Sequence, residues 1–520
     1  MSELTPSIRE SSGQKDHTRQ LWSSRIESAP EYGINSACLR CGALLSIHKS
    51  DSGFYRNCHS CGSGLNFDIN AYKIKGPQKP FLRRDFLKYL VFGGAAVLVT
   101  GFSDRSSKLG LLDKLLANAR TSTASTNYSL STFGTNTFPS TVTDPDAYQI
   151  ITQALASGKN IIHLPAGNYS VSQQININNV PNVEIYGDGQ NATILTLNDN
   201  VYGGSNTNPQ PAHVLSFFEA DGFHVHDLQI DGNAAGNPVE ENQYSAYAMN
   251  GINTFNCSNG KINNCLIHDA RYYGISIELG SNCLVFGNTV LNSNANGIVV
   301  SNASSVGGGH QVLNNIIDGA SEVGISTWEA VGALVHGNTV ENVTLNVSPT
   351  GTNTHVGLLA EGTSPCFNVT FSNNTVSNIS SPTTTNKGLG MGAGPDGSSN
   401  IQFLNNTFQN IYQAMRLVGG VTGIVVTGNE VRFTTSISDP VIGVSENTGL
   451  IGSHGKAPTG VDIEQNTLAD LLFGMTSYIV VLKDGSGKFI NNTIHTNGNK
   501  AISVNPQIKA NWVTTPNTIT

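Results

Sequence analysis

Charge is sparse in this sequence. Only 12% of its 520 residues are charged, and 17 of the 28 Lys and Arg lie within residues 1–120, beside 10 of the 36 Asp and Glu. Residues 121–520 are left with 11 cations against 26 carboxylates. Nucleic-acid binding depends on phosphate neutralisation by Lys and Arg, so nucleic acid is excluded as a partner of this acidic stretch. Long apolar runs are also missing: the best one, Tyr89 to Phe102, is shorter than the roughly 18 residues a membrane-spanning helix requires. Helical periodicity is absent from residue 264 onward, where apolar runs are short, alternating and rich in Val, Ile and Thr. In place of charge the chain carries 55 Gly with much Asn, Ser and Thr, which suits a polar surface facing sugars or water.

What recurs is an asparagine opening a short apolar stretch. The copies run from Asn264-Cys265-Leu266-Ile267 through Asn288-Thr289-Val290, Asn315-Ile316-Ile317 and Asn338-Thr339-Val340 to Asn492-Thr493-Ile494, the first four separated by 24, 27 and 23 residues. A period in this range marks a solenoid. Most coils also place a glycine before a β-rich run, as in Gly274-Ile275-Ser276-Ile277, Gly297-Ile298-Val299-Val300 and Gly324-Ile325-Ser326-Thr327. One residue type at the same turn of each coil can hydrogen-bond to its copies above and below, and Asn also tolerates the left-handed backbone of a tight corner. The expected structure is strands stacked on strands.

With these repeats, residues 130–520 resemble the right-handed parallel β-helix proteins of the pectate-lyase-like superfamily. The entry segment is similar too: Asp146 to Leu155 resembles a capping helix, and Ile161 to Tyr169 a first strand and turn. The fold expected is all-β, a right-handed parallel β-helix over residues 141–520. The resemblance implies an exported protein that binds extracellular polysaccharide, with cleavage by a lyase or glycoside hydrolase, or epimerisation, as the enzymatic options. A non-catalytic surface or envelope rod is the alternative. No polygalacturonase-like pattern of paired Asp with His-Gly is present, which counts against pectin hydrolysis.

The N-terminal third reads differently. After a flexible segment, residues 1–29, Cys38-Leu39-Arg40-Cys41-Gly42 and Cys58-His59-Ser60-Cys61-Gly62 form two CxxC pairs with 16 residues between them. This spacing fits a four-cysteine structural zinc site, and residues 30–75 resemble a zinc ribbon, with a redox dithiol as the other reading. Residues 80–104 carry Leu82-Arg83-Arg84-Asp85-Phe86-Leu87-Lys88 before the apolar run. They resemble a twin-arginine signal, which implies the Tat translocase as a partner during export and an extracytoplasmic β-helix. The other reading is a buried amphipathic helix. After Met1 the next Met is Met249, so a mis-assigned downstream start does not account for the distance of this signal from Met1. Uncleaved, the run is a short membrane anchor with its basic flank and the ribbon in the cytoplasm. Residues 105–140 form a linker. The remaining cysteines, Cys257, Cys265, Cys283 and Cys366, sit in strand-like runs and are expected to be buried in the stack as small apolar residues, with disulfide pairing as the other reading.

Aligning coils on the glycine places alternate residues outward. That file includes Phe255, Glu278, Trp328, Glu361 and Arg416, rings and polar groups suited to stacking on and bonding a glycan, or to packing beneath a loop. Glu329 and Glu361, on neighbouring coils, are the first acid/base candidates, since a glycosidase pair needs about 5 to 9.5 Å. The second candidate is the turn holding His268, Asp269, Arg271 and Tyr272, a possible acid, base and cation in one place or simply a hydrogen-bonded corner. A lyase would need a cation or calcium against the carbanion, for which Asp227, Asp231 and Asp269 are the candidate oxygen ligands.

Overall fold

In a computed structural model of the chain, the residues described are 46–50, 53–57 and 64–67 and, beyond them, 145–201, 212–237, 249–302, 307–344, 354–379, 387–394, 396–434, 440–445, 456–469, 471, 475 and 477–520. The chain divides into two units, Met1–Val142 and Thr143–Thr520. In the first, Ser46–Ser50, Gly53–Asn57 and Gly64–Phe67 form a three-stranded antiparallel sheet. The proposed zinc ligands Cys38, Cys41, Cys58 and Cys61, and the signal at 80–104, lie outside the described residues. Among the described residues no helix is long and apolar enough to cross a membrane.

The second unit is a parallel β-helix. Helix Ala147–Ala156 opens it, with the Asp146 carboxylate accepting from Tyr148 N at 3.0 Å as its N-cap. Ala147, Ile151 and Ala154 on one face of the helix are buried, so it covers the apolar end of the stack. The chain then winds through three strands per coil, starting with Ile161–Leu164, Gly167–Val171 and Ile175–Asn178. These strands found three parallel sheets of 13, 13 and 12 strands, here sheets 1, 2 and 3. Inward residues stay in register from coil to coil. In sheet 1 the file Val225, Ile262, Val285, Val312, Val335, Phe371, Phe403 and Val426 is fully buried, and the Phe371 and Phe403 rings stack at 4.9 Å. Cys257, Cys265, Cys283 and Cys366 are free and buried in this core, as their strand-like surroundings imply.

The asparagines form the expected ladder at the turn between sheets 1 and 2. Asn338 is typical: its backbone N–H and its side-chain amide both donate to Asn374 Oδ1 at 2.9 Å, and the amide also donates to Val312 O at 2.9 Å. Its own Oδ1 accepts from the backbone and side chain of Asn315. The ladder runs through Asn288, Asn315, Asn338, Asn374, Asn406, Asn429, Asn466, Asn492 and Asn517. One tag is corrected by the structure. Asn264 is not a rung: Cys265 occupies the ladder position and donates its N–H to Asn288 Oδ1, while Asn264 (φ 50°) aligns with Gly287 (φ 65°) in the left-handed residue that precedes every rung from Asn288 to Asn492. The two roles assigned to one asparagine therefore fall on two successive residues, one buried and bonded, one left-handed.

The repeated glycine at the start of the central sheet 3 runs marks a close approach. A Cβ on Gly324 would lie 2.2 Å from Val340 Cγ1 and 2.7 Å from Gly357 O, and Gly274, Gly297 and Gly357 are crowded in the same way. Gly324→Ala is therefore expected to cost about 1–3 kcal/mol through overpacking, read as a lower thermal midpoint; an unchanged midpoint would mean the corner gives way freely.

Candidate functional site

Sheet 3 carries the outward file in the register expected from the glycines: Phe218, Phe255, Glu278, Ser301, Trp328 and Glu361 align coil by coil. Phe218 and Phe255 stack face to face at 5.4 Å, and both rings and Trp328 are half-buried. The neighbouring outward file, Ser276, Val299, Ser326 and Leu359, is buried. This differs from an open face. Val323, Val356, Leu359, Leu389 and Val418 form a second, smaller apolar cluster on the outer side of the sheet, so sheet 3 is covered on both faces in its central coils.

Glu361 lies within this cover, 1% exposed. Its Oε1 accepts from Ser326 Oγ at 2.7 Å, while Oε2 is buried without a hydrogen-bond partner. Burial first, and the nearby charge of Glu322 second, push its carboxyl up to about 8. It is then a neutral acid at pH 7, with a proton donor and no acceptor. Tyr273 donates its hydroxyl to Tyr272 Oη at 3.0 Å with the rings 3.9 Å apart, and burial, together with Glu322, Glu278 and Glu361, drives the Tyr273 phenol well above its usual range. Glu278 is also raised by burial and accepts from Ser276 Oγ at 3.0 Å. Tyr273 N donates to Asn250 Oδ1 at 3.1 Å, and Asn250 N in turn donates to His213 Nδ1, tying the tyrosines to a buried polar group two coils back.

The candidate residues separate by location. Glu329 does sit one coil from Glu361, donating its N–H to Glu361 O at 2.7 Å, but it leaves the strand with φ 54°. Its Oε1 accepts from Thr363 N, Thr363 Oγ1 and Ser364 N at 3.0, 2.6 and 2.9 Å, so this carboxylate closes a turn. The carboxyl that acts on Glu361 is Glu322, two residues before Gly324, which sequence reasoning missed because no strand file includes it. Glu278 stands three coils from Glu361, roughly 14 Å at 4.8 Å per coil. The turn 268–273 is divided by the corner between sheets. His268 and Asp269 stay on the outer face of sheet 2, whereas Tyr272 and Tyr273 join the sheet 3 group, and Arg271 is half-buried between them in sequence. His268 Nδ1 lies 2.8 Å from Asp269 Oδ2 and 3.8 Å from Asp231 Oδ1, so two of the three candidate calcium ligands do converge. Asp227 instead pairs with His226 and Asn264. Arg416 is half-buried in the outward file between Gly392 and Gly443, which have no side chains to cover it, roughly 10 Å or two coils beyond Leu359.

A family model described as "Right handed beta helix region" matches residues 166–345. No curated protein matches the chain. Solved structures similar to it include the Azotobacter vinelandii mannuronan C-5 epimerase AlgE6 A-module, at 16% identity with TM-score 0.43, covering 72% of this chain and 96% of that one. They also include the N-terminal fragment of bacteriophage phi29 gene product 12 (12% identity, TM-score 0.43, 72% and 69% covered). A third is the catalytic unit of the GH87 α-1,3-glucanase of Streptomyces thermodiastaticus (12% identity, TM-score 0.39, 72% and 66% covered).

Proposed function

We propose that the outer face of sheet 3 is a glycan site, and that the chain binds an extracellular polysaccharide laid along the coil axis and processes it with Glu361 as proton donor. The observation that carries this reading is Glu361 itself: a carboxyl held neutral, with one oxygen seated on Ser326 and the other unpartnered, in one file with Trp328, Phe255 and Phe218. Rings stack on apolar sugar faces and a neutral acid protonates a leaving oxygen or holds a sugar carboxylate. Tyr272 and Tyr273 supply a second proton-carrying pair, and Arg416 a cation for an acidic sugar. Among the described residues the carboxyl that acts on Glu361 is Glu322, which lies outside its file, so lyase, epimerase and hydrolase chemistry are all options for the site. Calcium, where it takes part, would use the oxygens of Asp231 and Asp269. The burial of Glu361 favours a second reading, a non-catalytic surface or envelope rod in which this file is packing.

For the first unit, the proposal is a structural zinc bound by Cys38, Cys41, Cys58 and Cys61, with Tat-dependent export and, when uncleaved, membrane anchoring through residues 80–104. The two cysteine pairs flank the antiparallel hairpin Ser46–Asn57, an arrangement suited to a ribbon.

The test is a polysaccharide panel on the purified chain, with and without calcium, following ultraviolet absorbance of unsaturated ends, new reducing ends and uronate epimer content. Turnover by any of these is the expected result, with Trp328→Ala weakening binding about 10-fold. Binding that depends on Trp328 without turnover would select the rod, and no binding to any glycan would sink the glycan site.

A further inference from the structure

A second constellation lies on another wall of the solenoid, outside the sheet 3 site. On the outer face of sheet 1, Glu184 and His224 are register partners on adjacent coils, and His226 is two residues further along the same strand and so on the same face. Ile185 and Val225 between them point inward and are buried. His226 Nε2 lies 3.0 Å and His224 Nδ1 3.5 Å from the same oxygen, Glu184 Oε1, and the imidazole rings are 4.1 Å apart. The other nitrogen of each ring faces an acceptor: His224 Nε2 is 2.6 Å from Asn263 Oδ1 and His226 Nδ1 is 2.7 Å from Asp227 Oδ2. Those two nitrogens therefore carry the protons. His224 Nδ1, His226 Nε2 and Glu184 Oε1 are left as three lone-pair atoms converging within 4.8 Å of one another. Three such atoms repel unless a metal ion or a proton stands among them. Around zinc bound tetrahedrally at about 2.0–2.1 Å, ligand atoms are separated by roughly 3.3 Å, close to the spacing observed here.

We propose that Glu184, His224 and His226 form a divalent metal site that binds zinc, with Asp227 and Asn263 fixing the two imidazoles from behind and the fourth position open to solvent. The ligands are partly exposed, with side-chain exposures of 33%, 30% and 16%, so an ion has a path in and a water has a place to bind. Tyr186 stacks on His226 at 5.1 Å and His163 on Tyr186 at 4.7 Å, holding the His226 ring plane. Carboxylate and amide oxygens behind ligating imidazoles fix the tautomer and raise ligand basicity. The Asp231–His268–Asp269 group on sheet 2 lacks this conflict. There Gln229 donates its amide to His268 Nε2, and Nδ1 carries a proton to Asp269, so neither ring nitrogen offers zinc a lone pair and only carboxylate oxygens remain.

The competing state is a proton on His226 Nε2, giving an imidazolium between Glu184 and Asp227. To separate the two, the full chain is stripped with a chelator, reloaded with excess zinc, desalted and its metal counted. The parent is expected to retain one zinc more than His224→Ala/His226→Ala, with the zinc of the four N-terminal cysteines common to both. Cobalt in this site should add d–d absorption without a thiolate charge-transfer band. Asp227→Asn should keep the stoichiometry and weaken affinity about 10- to 100-fold. Glu184→Gln, which preserves shape, gives the same count as the double variant and stands in for it where that variant does not fold. Equal zinc in the parent and in folded variants would overturn the proposal and assign the proton instead, as would a count that falls with His268→Ala but not with Glu184→Gln.

Discussion

Asn338→Ala is expected to lower stability by about 3–5 kcal/mol and to split the unfolding of the solenoid into two transitions. The side chain is 1% exposed and every polar atom on it is used. Truncation leaves the Asn315 backbone N–H without its acceptor and the Val312 carbonyl without its side-chain donor, both in the interior. Each orphaned buried group costs about 1–3 kcal/mol. Because a solenoid is stabilised by each coil and its nearest neighbours, a broken rung weakens one junction and uncouples the segments on either side. Asn517 is the internal control. It likewise accepts from Asn492 N and donates to Phe489 O, but it is half-buried, so water reaches the groups that truncation leaves behind; Asn517→Ala should cost less than Asn338→Ala and leave one transition. Urea melts followed by circular dichroism would show both effects; equal losses for the two variants would mean that the ladder contributes no junction energy.

The same ladder shows how far the sequence could be read. Repeated asparagines, repeated glycines and an N-capped entry helix each report a local rule that holds at every coil, so the parallel stack was legible from them. Residue Asn264 shows where such reading slips, since in the Asn263-Asn264-Cys265 run the ladder position falls on the cysteine and not on an asparagine. The site was legible only in part. Files of outward residues follow from strand alternation, which is why Phe255, Glu278, Trp328 and Glu361 align. Corners do not obey that rule: Glu329 leaves its strand in a left-handed conformation, and the 268–273 turn sends its ends to different sheets. Burial of an outward file depends on what lies over it, which no repeat encodes. The His224–His226–Glu184 group was invisible for another reason. Its members are 40 and 42 residues apart, in early coils whose tags had not yet become regular.

Glu361→Gln is expected to remove a pH dependence of stability and, if the sheet 3 site is catalytic, to remove turnover. The ordinary carboxyl of the unfolded chain titrates near 4.5, whereas in the folded protein Glu361 holds its proton up to about 8. Between these values the folded state binds a proton that the unfolded state has released, so this group's contribution to stability falls as pH rises from 4.5 and is fully lost by about pH 8. The whole span corresponds to about 4–5 kcal/mol. Gln keeps an oxygen to accept from Ser326 Oγ and cannot ionise, so the variant should match the parent near pH 5 and exceed its stability by several kcal/mol above pH 8. The difference between parent and variant melts isolates Glu361 from the other carboxyls, including Glu278. Parallel curves from pH 5 to 9 would mean that Glu361 ionises freely and is no proton donor at pH 7. Turnover gives the opposite sign, which is why the pair of measurements is decisive. A general acid contributes about 100- to 10,000-fold, so the more stable variant should be the inactive one, and activity of the parent should decline above about pH 8 as the proton leaves. A rod would show the stability effect alone, because packing a neutral carboxyl beneath the cover of sheet 3 requires no chemistry of it.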